Sequence, residues 1–562
     1  MFDALTELVT RRRILSLAPL FLLVLSLGSV FLPVSGANNG GPENISVPPT
    51  PTPDWADKGR WETPFTPFTG NLVASHVSVL PNGKVLAWGP PATSSPYPTT
   101  VQIWDPNATC PSCITDVSPS PATFGILYCS GHSFLADGSL LITGGSANPG
   151  GSDLGINKAA LFNYSNNSWT ALPVMNDKRW YPTNLPLSDG STLVWGGHTV
   201  NSVINPDPQI LEKQSDGTYT WRSVHLKNPE PDFQYYSWLN MLSSGKAMVT
   251  LGVNGKSFLL SLGGGFRYSN DHALKYPLHP SNSSLDGQMA DGNHHAGSQI
   301  VYDKDQLLVI GGSWNMPKDT VERINLNNST PQWQKVAHLN IGRRHHNSTI
   351  LPDGKVLVTG GNKGNAFNNT CPENAVKTAE LWDPDNSAMS VDTNTWKQLA
   401  SASERRIYHS SAVLLPDGRV FTGGTTWFWA DGNPDGSDKT CDEGQPNYTV
   451  EIFSPPYLFN TDGSYATRPS IQSGPSEVNY GQTYNYTVSN AGSTPKVSLV
   501  RLPSVTHSFN QNQGFLKLTP SVSGTTVSIT IPVNRNELVP GHYMMFVLNG
   551  GVPSVAKIIQ VL

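Results

Sequence analysis

The sequence predicts an all-β chain, a seven-bladed β-propeller followed by a smaller β-sandwich, on three observations. First, seven stretches of alternating apolar residues each pass through a turn, several of them Asp-Gly or Asn-Gly, into a closing glycine or glycine pair. They are Val77–Gly89, His132–Gly145, Thr183–Gly197, Ser237–Gly252, Ser298–Gly312, Asn347–Gly361 and Ser410–Gly424, recurring at roughly 50–60 residues, the length of a kelch-type blade. Second, only 14% of the 562 residues are charged while Gly (51) and Pro (46) are abundant, as in many short strands joined by turns. Third, strand-like runs after Thr467 lack the glycine-pair closure and read as a separate unit.

In chain order, Arg11, Arg12 and Arg13 precede an apolar run from Ile14 to Val34 and then the small residues Ser35, Gly36 and Ala37. That order is a secretory signal with cleavage near Gly36. Left uncleaved, about 20 apolar residues would span a bilayer as a signal anchor, so residues 1–36 place the domains outside the cytosol in either case. Residues 37–60 form a Pro-, Thr- and Asn-rich leader. The propeller occupies 61–467, with the neighbourhood of Trp61 supplying a strand that closes the ring. Residues 468–562 contain the runs Tyr484–Val488, Lys496–Arg501, Val527–Ile531 and Gly541–Leu548, an immunoglobulin-like sandwich. Sequons at Asn44, Asn107, Asn163, Asn282, Asn347, Asn447 and Asn485 suit a glycosylated, secreted chain. A net charge of −5 without a basic block argues against a nucleic-acid surface.

Five cysteines are present: Cys110, Cys113, Cys129, Cys371 and Cys441. In an exported protein Cys110 and Cys113 can close a tight loop, and Cys371 and Cys441 lie in long insertions of neighbouring blades, which leaves Cys129 over. The residues leading into other blades are equally out of place in a plain repeat. Arg179-Trp180-Tyr181 leads into the third, Arg405-Arg406-Ile407-Tyr408-His409 into the seventh, and the sandwich holds Ser504-Val505-Thr506-His507-Ser508. Corresponding strand starts in a propeller face one end of the axis, so Cys129, Tyr181, Tyr408 and His409 can converge. Neighbours on a regular strand point to opposite faces, so Tyr408 and His409 share a site only where the backbone is irregular. Two imidazoles and two phenols are a donor set suited to Cu(II).

The chain resembles the copper radical oxidases, the family of galactose oxidase and glyoxal oxidase, from the first blade to the C-terminus. The motifs that carry the resemblance are Tyr128-Cys129-Ser130-Gly131, Arg179-Trp180-Tyr181-Pro182, Arg406-Ile407-Tyr408-His409-Ser410, Ser454-Pro455-Pro456-Tyr457-Leu458 and Val505-Thr506-His507. The resemblance implies one copper ion held by Tyr181, Tyr408, His409 and His507, with Tyr181 joined to Cys129 by a thioether and serving as the tyrosyl radical. Tyr408 would be the axial ligand that accepts the substrate's hydroxyl proton. His507 would arrive on a loop that the sandwich sends up the propeller channel. A two-electron oxidation with dioxygen as acceptor, giving hydrogen peroxide, then needs no organic cofactor. The peroxide would be available to a peroxidase or to cell-wall cross-linking.

Galactose oxidase carries a tryptophan over its cross-linked tyrosine just after the glycine pair of that blade; here Gly196-Gly197 is followed by His198 and Thr199. That departure, with the Arg179-Trp180-Tyr181-Pro182 motif, points to the glyoxal oxidase branch and small aldehyde substrates, with primary alcohols as the alternative. Trp314, after Gly311-Gly312, is the expected substitute shield, ahead of Trp427 and Trp429. His294, His295, Arg343, His345 and His346 are candidates for the mouth of the site. A non-catalytic kelch-type adhesion or wall-binding protein is the competing class, and it predicts neither copper nor thioether.

Overall fold

The computed structural model describes residues 53–90, 98–148, 154–200, 203–224, 235–252, 256–261, 293–365, 371–426 and 446–562. The signal-like run, most of the leader, Asn44, Asn282, Trp427, Trp429 and Cys441 lie outside the described residues, and with Cys441 the Cys371–Cys441 pairing. No helix among the described residues is long and apolar enough to cross a membrane.

The described chain is all-β. Seven antiparallel sheets precede the C-terminal region, each starting at one of the predicted stretches. The second is typical: Gly131–Phe134, Leu140–Thr143, Ala159–Asn163 and Ser168–Ala171 pair in sequence order. The fourth has three strands among the described residues, Trp238–Met241, Lys246–Leu251 and Lys256–Ser261. In the seventh, Arg60–Trp61 pairs with Glu451–Ser454, so the chain before the first repeat supplies the outer strand of the last sheet. Neighbouring sheets touch through their first strands: Gly131–Phe134 against Thr183–Pro186, and Asn347–Ile350 against both Ser298–Asp303 and Ser411–Leu414.

The repeat residues explain this packing. Arg179, Arg343 and Arg406 are buried at 3% exposure or less, and each donates from Nη1 to a closing glycine of its own sheet: Gly196 O at 2.8 Å, Gly360 O at 3.0 Å and Gly424 O at 2.7 Å. The arginine carbonyl in turn accepts from the glycine pair of the preceding sheet, as in Gly145 N–H to Arg179 O at 3.0 Å and Gly361 N–H to Arg406 O at 2.7 Å. A Cβ on Gly144 would lie 2.2 Å from Arg179 O, and one on Gly360 2.3 Å from Arg406 O, which is why the pair must be glycine. Glu380 completes one such lock, fully buried against Arg343. Arg343→Ala would leave the buried Glu380 charge without its cationic partner, held only by the Asn340 amides, and is expected to cost about 3–5 kcal/mol. A lowered thermal midpoint in Arg343→Ala, with a much smaller loss in the Arg343→Met/Glu380→Leu pair, checks this.

The C-terminal region stacks two sheets. One contains Ser470–Ser473, Thr483–Ser489, Thr526–Thr530 and Ser521–Ser523; the other is centred on Gly541–Asn549 and Lys496–Arg501. Strand alternation divides Gly541–Asn549 between two cores. Tyr543, Met545 and Val547 join Tyr486, Val497 and Ile529 inside the sandwich, whereas Met544, Phe546 and Leu548 join the core of the preceding sheets. A hairpin leaves the sandwich here: Ser504–Thr506 pairs with Phe509–Asn510 on one side and with His76–Val79 of the first sheet on the other.

Cys110 and Cys113 form the expected disulfide. Two of the sequons are corrected by burial. Asn347 is 2% exposed and its amide donates to Ser410 Oγ at 3.0 Å, and Asn447 is 8% exposed and donates to Glu404 at 2.7 Å. Neither amide is open to glycosylation in the folded chain, whereas Asn107 and Asn485 are exposed.

Candidate metal centre

One position of the repeat builds the site. Cys129, Tyr181, Tyr236, Ala296, His345 and His409 each stand two residues before the first strand of a sheet, and each has a left-handed backbone, with φ of 64°, 65°, 43°, 55°, 55° and 62°. Such φ values are uncommon without glycine, and repetition at one register position marks a built feature. Backbone hydrogen bonds link them across sheets: Tyr181 N–H to Cys129 O at 3.0 Å, Tyr236 N–H to Tyr181 O at 3.0 Å and His345 N–H to Ala296 O at 2.6 Å. The left-handed turn also breaks strand alternation, so the Tyr408 and His409 rings stack on one side, 3.6 Å apart. His507 and Ser508 form the two-residue loop of the C-terminal hairpin with φ of 48° and 67°, the double-positive turn that favours Asn-Gly elsewhere.

These elements meet at the Tyr181 oxygen. It lies 3.0 Å from His507 Nε2, 3.3 Å from His409 Nε2 and 3.1 Å from the Tyr408 oxygen. His507 Nδ1 faces Thr506 Oγ1 at 2.6 Å, and His409 Nδ1 faces the Tyr128 hydroxyl at 3.0 Å and the Thr426 hydroxyl. Burial pushes both imidazoles well below the usual histidine range, and burial, aided by Cys129, pushes Tyr181 well above the usual phenol range. All three are therefore neutral. In the tautomer that gives Nδ1–H to the threonine hydroxyls, both Nε2 lone pairs point at one phenol that has a single proton to share. Two imidazole nitrogens and two phenol oxygens facing one another form a site that fits a cation. The mixed nitrogen and oxygen donors suit Cu(II). Among the described residues no group of three or more His, Cys, Asp and Glu side chains is placed to hold a metal, so this centre depends on its phenols.

Cys129 is buried and free, and it packs in one cluster with Trp180, Tyr181 and Tyr236. Burial pushes the Cys129 thiol up, so it is protonated. The ring stacked on Tyr181 is Trp180, at 4.0 Å between centroids and 17° between planes. Trp314, the expected shield, is instead 51% exposed and packs edge-on against His295 at 4.6 Å. The turn that aims Tyr181 inward lays its own neighbour over it, a geometry that strand alternation does not suggest. His198 packs against Tyr235 at 4.4 Å, beside Trp180.

Of the five mouth candidates, His345 packs on Tyr408 at 4.6 Å and His295 lies at 6.3 Å from Tyr235. The other three are structural: His294 bonds Gly311 O at 2.6 Å, His346 bonds Ser298 Oγ at 2.9 Å, and Arg343 binds Glu380. Three residues to which the sequence assigns no role join the site. Tyr236 packs on Tyr181 at 4.7 Å and on His507 at 4.9 Å, while Tyr128 and Thr426 hold His409. Tyr236 occupies the Tyr181 position of the next repeat, which is the sequence signal that could have found it.

The family model described as the Glyoxal oxidase N-terminus matches residues 290–457, and that described as the Galactose oxidase-like, Early set domain matches residues 468–561. Over these two stretches the chain is similar to the glyoxal oxidase and galactose oxidase-like proteins. Galactose oxidase of Gibberella zeae is 27% identical over 536 residues, covering 90% of this chain and 70% of its own. Aldehyde oxidase GLOX of Vitis pseudoreticulata is 29% identical over 466 residues, covering 77% and 81%. Among solved structures, a fungal alcohol oxidase in complex with copper superposes with a TM-score of 0.70 at 22% identity, over 90% of this chain and 99% of that one. The chain thus shares the fold of that oxidase, and the immunoglobulin-like region corresponds to the family's early-set domain.

Proposed function

We propose that this chain is a secreted copper radical oxidase that converts small aldehydes of the glyoxal or methylglyoxal type to carboxylic acids while reducing dioxygen to hydrogen peroxide. The observation that carries the reading is the convergence of His409, His507 and Tyr408 on the oxygen of Tyr181, with Cys129 in the same packed cluster as Tyr181. In this reading the seven sheets are the blades of one kelch-type ring over 61–467, residues 468–562 deliver His507, and export follows from residues 1–36.

His409, His507, Tyr181 and Tyr408 would hold the copper. Copper bound there would supply a one-electron acceptor, and Tyr181, once joined to Cys129, would accept the second electron. Tyr408, whose oxygen is 3.1 Å from that of Tyr181, takes the proton of the substrate hydroxyl, which an aldehyde carries as its hydrate. Trp180 covers one face of Tyr181 and keeps water from it. Thr506, Thr426 and Tyr128 fix the imidazole orientations through the nitrogens that face away from the centre.

The preference for aldehydes rests on His198 standing where galactose oxidase has its stacking tryptophan, and on the likeness to an aldehyde oxidase. The likeness to galactose oxidase over more of the chain favours primary alcohols as the second reading. Copper-loaded, pre-oxidised protein tested with methylglyoxal, glyoxal, glycerol, galactose and an aromatic alcohol, against the apoprotein, decides between them. Copper-dependent peroxide from the dicarbonyls is the expected result, and preference for the alcohols moves the chain to that branch. Silence on every substrate, with no thioether between Cys129 and Tyr181, leaves a binding propeller.

A further inference from the structure

Beside the phenols lies a buried histidine pair that the proposed chemistry does not use. His76 opens the strand His76–Val79, His132 is the second residue of Gly131–Phe134, and both are 0% exposed. The Cys129 amide donates to His76 Nε2 at 3.1 Å. An amide N–H only donates, so Nε2 of His76 carries the lone pair and its Nδ1 carries the proton. That Nδ1 lies 3.1 Å from His132 Nε2, which must accept, leaving His132 Nδ1–H for Ser504 Oγ at 2.5 Å. Ser504 Oγ is in turn 2.8 Å from Ser78 Oγ. Burial keeps both imidazoles neutral, as this single-direction chain requires. Trp88 stacks on His76 at 4.9 Å and 6° and fixes its ring plane.

The two ends of this chain matter. One is the backbone of Cys129, held in a left-handed turn with φ of 64°. The other is Ser504, on the hairpin that carries His507 and whose Thr506 pairs directly with His76. We propose that the His76–His132–Ser504 chain positions the Cys129 thiol against the Tyr181 ring and couples thioether formation to the seating of the C-terminal hairpin. This rests on the copper radical reading above. The thioether replaces one S–H and one ring C–H by a C–S bond; the two electrons and two protons leave to dioxygen, the oxidant of that reading, as hydrogen peroxide. His76 and His132 are positioning residues in this step and touch neither substrate nor metal.

The test follows the cross-link by peptide mass mapping after full-length apoprotein is given Cu(II) in air, with copper stoichiometry read in parallel. His76→Leu is expected to slow cross-linking by about tenfold or more at unchanged stoichiometry, the scale of losses when a supporting hydrogen bond is removed. His76→Gln, which offers an amide oxygen to the Cys129 N–H, is expected to restore most of the rate, which a merely structural role would not produce. Cross-linking of His76→Leu at the wild-type rate would overturn the proposal. Should His76→Leu fail to fold, the same comparison of rates is made with Ser78→Ala/Ser504→Ala, which removes only two small hydroxyls. Absence of the cross-link from the wild-type chain itself would sink the radical-oxidase reading and this inference with it, whereas equal rates in wild type and variant sink this inference alone.

Discussion

Cys129→Ser is expected to leave fold and copper binding in place while lowering turnover by about a hundredfold or more, a barrier increase of about 2.7 kcal/mol. Serine is close to cysteine in volume, and the backbone bonds of Cys129, to His76 through its N–H and from Tyr181 to its carbonyl, do not involve the side chain. The folded state loses at most about 1–3 kcal/mol for a buried hydroxyl in place of a thiol. The chemical loss is larger because only sulfur can form the thioether that eases removal of an electron from the Tyr181 ring. The unreacted thiol is no nucleophile, being buried and protonated. Steady-state peroxide release from copper-loaded wild type and variant checks the expectation, and equal turnover refutes the thioether assignment.

Removing the imidazole of His507 is expected to weaken copper binding by about 10- to 100-fold or more, although the residue lies in the C-terminal region of the chain. The hairpin should survive, since it is held by backbone pairing to Phe509–Asn510 and to the first sheet. His507→Ala confounds two effects, because alanine is less tolerant than histidine of the left-handed backbone at φ 48°. His507→Asn separates them: asparagine tolerates the left-handed turn but offers no ring nitrogen. Competitive copper titration of both variants should therefore show a similar loss, with thermal stability reduced mainly in His507→Ala. Wild-type affinity in His507→Asn would remove this residue from the ligand set.

The repeat was legible because its physics is local. The glycine pairs and buried arginines recur where a closing turn meets the next sheet, as Gly144 against Arg179 and Gly360 against Arg406 show. The strand runs of the C-terminal region were legible for the same reason: Lys496–Arg501 is a strand over the same residues, and Gly541–Asn549 exceeds its predicted run by one. The meeting of Tyr181, Tyr408 and His409 was anticipated from strand starts that share one end of the axis, whereas the arrival of His507 came only from the family resemblance. Less legible was anything that depends on which way a side chain leaves an irregular turn. Trp180 covers Tyr181 because the left-handed turn cancels strand alternation, and sequence spacing alone favoured Trp314. Asn347 and Asn447 satisfy a three-residue sequon pattern that carries no information about burial. The His76–His132 chain links residues 56 and 372 positions apart, and only the packed sheets bring them together.

The most direct test of the copper centre is electron paramagnetic resonance of the Cu(II)-loaded protein at measured stoichiometry. One copper per chain with two nitrogen donors, falling to one donor in His507→Asn, is the result expected of a centre built from His409, His507, Tyr181 and Tyr408. Substoichiometric copper, or a nitrogen pattern indifferent to substitution of both His409 and His507, would contradict it.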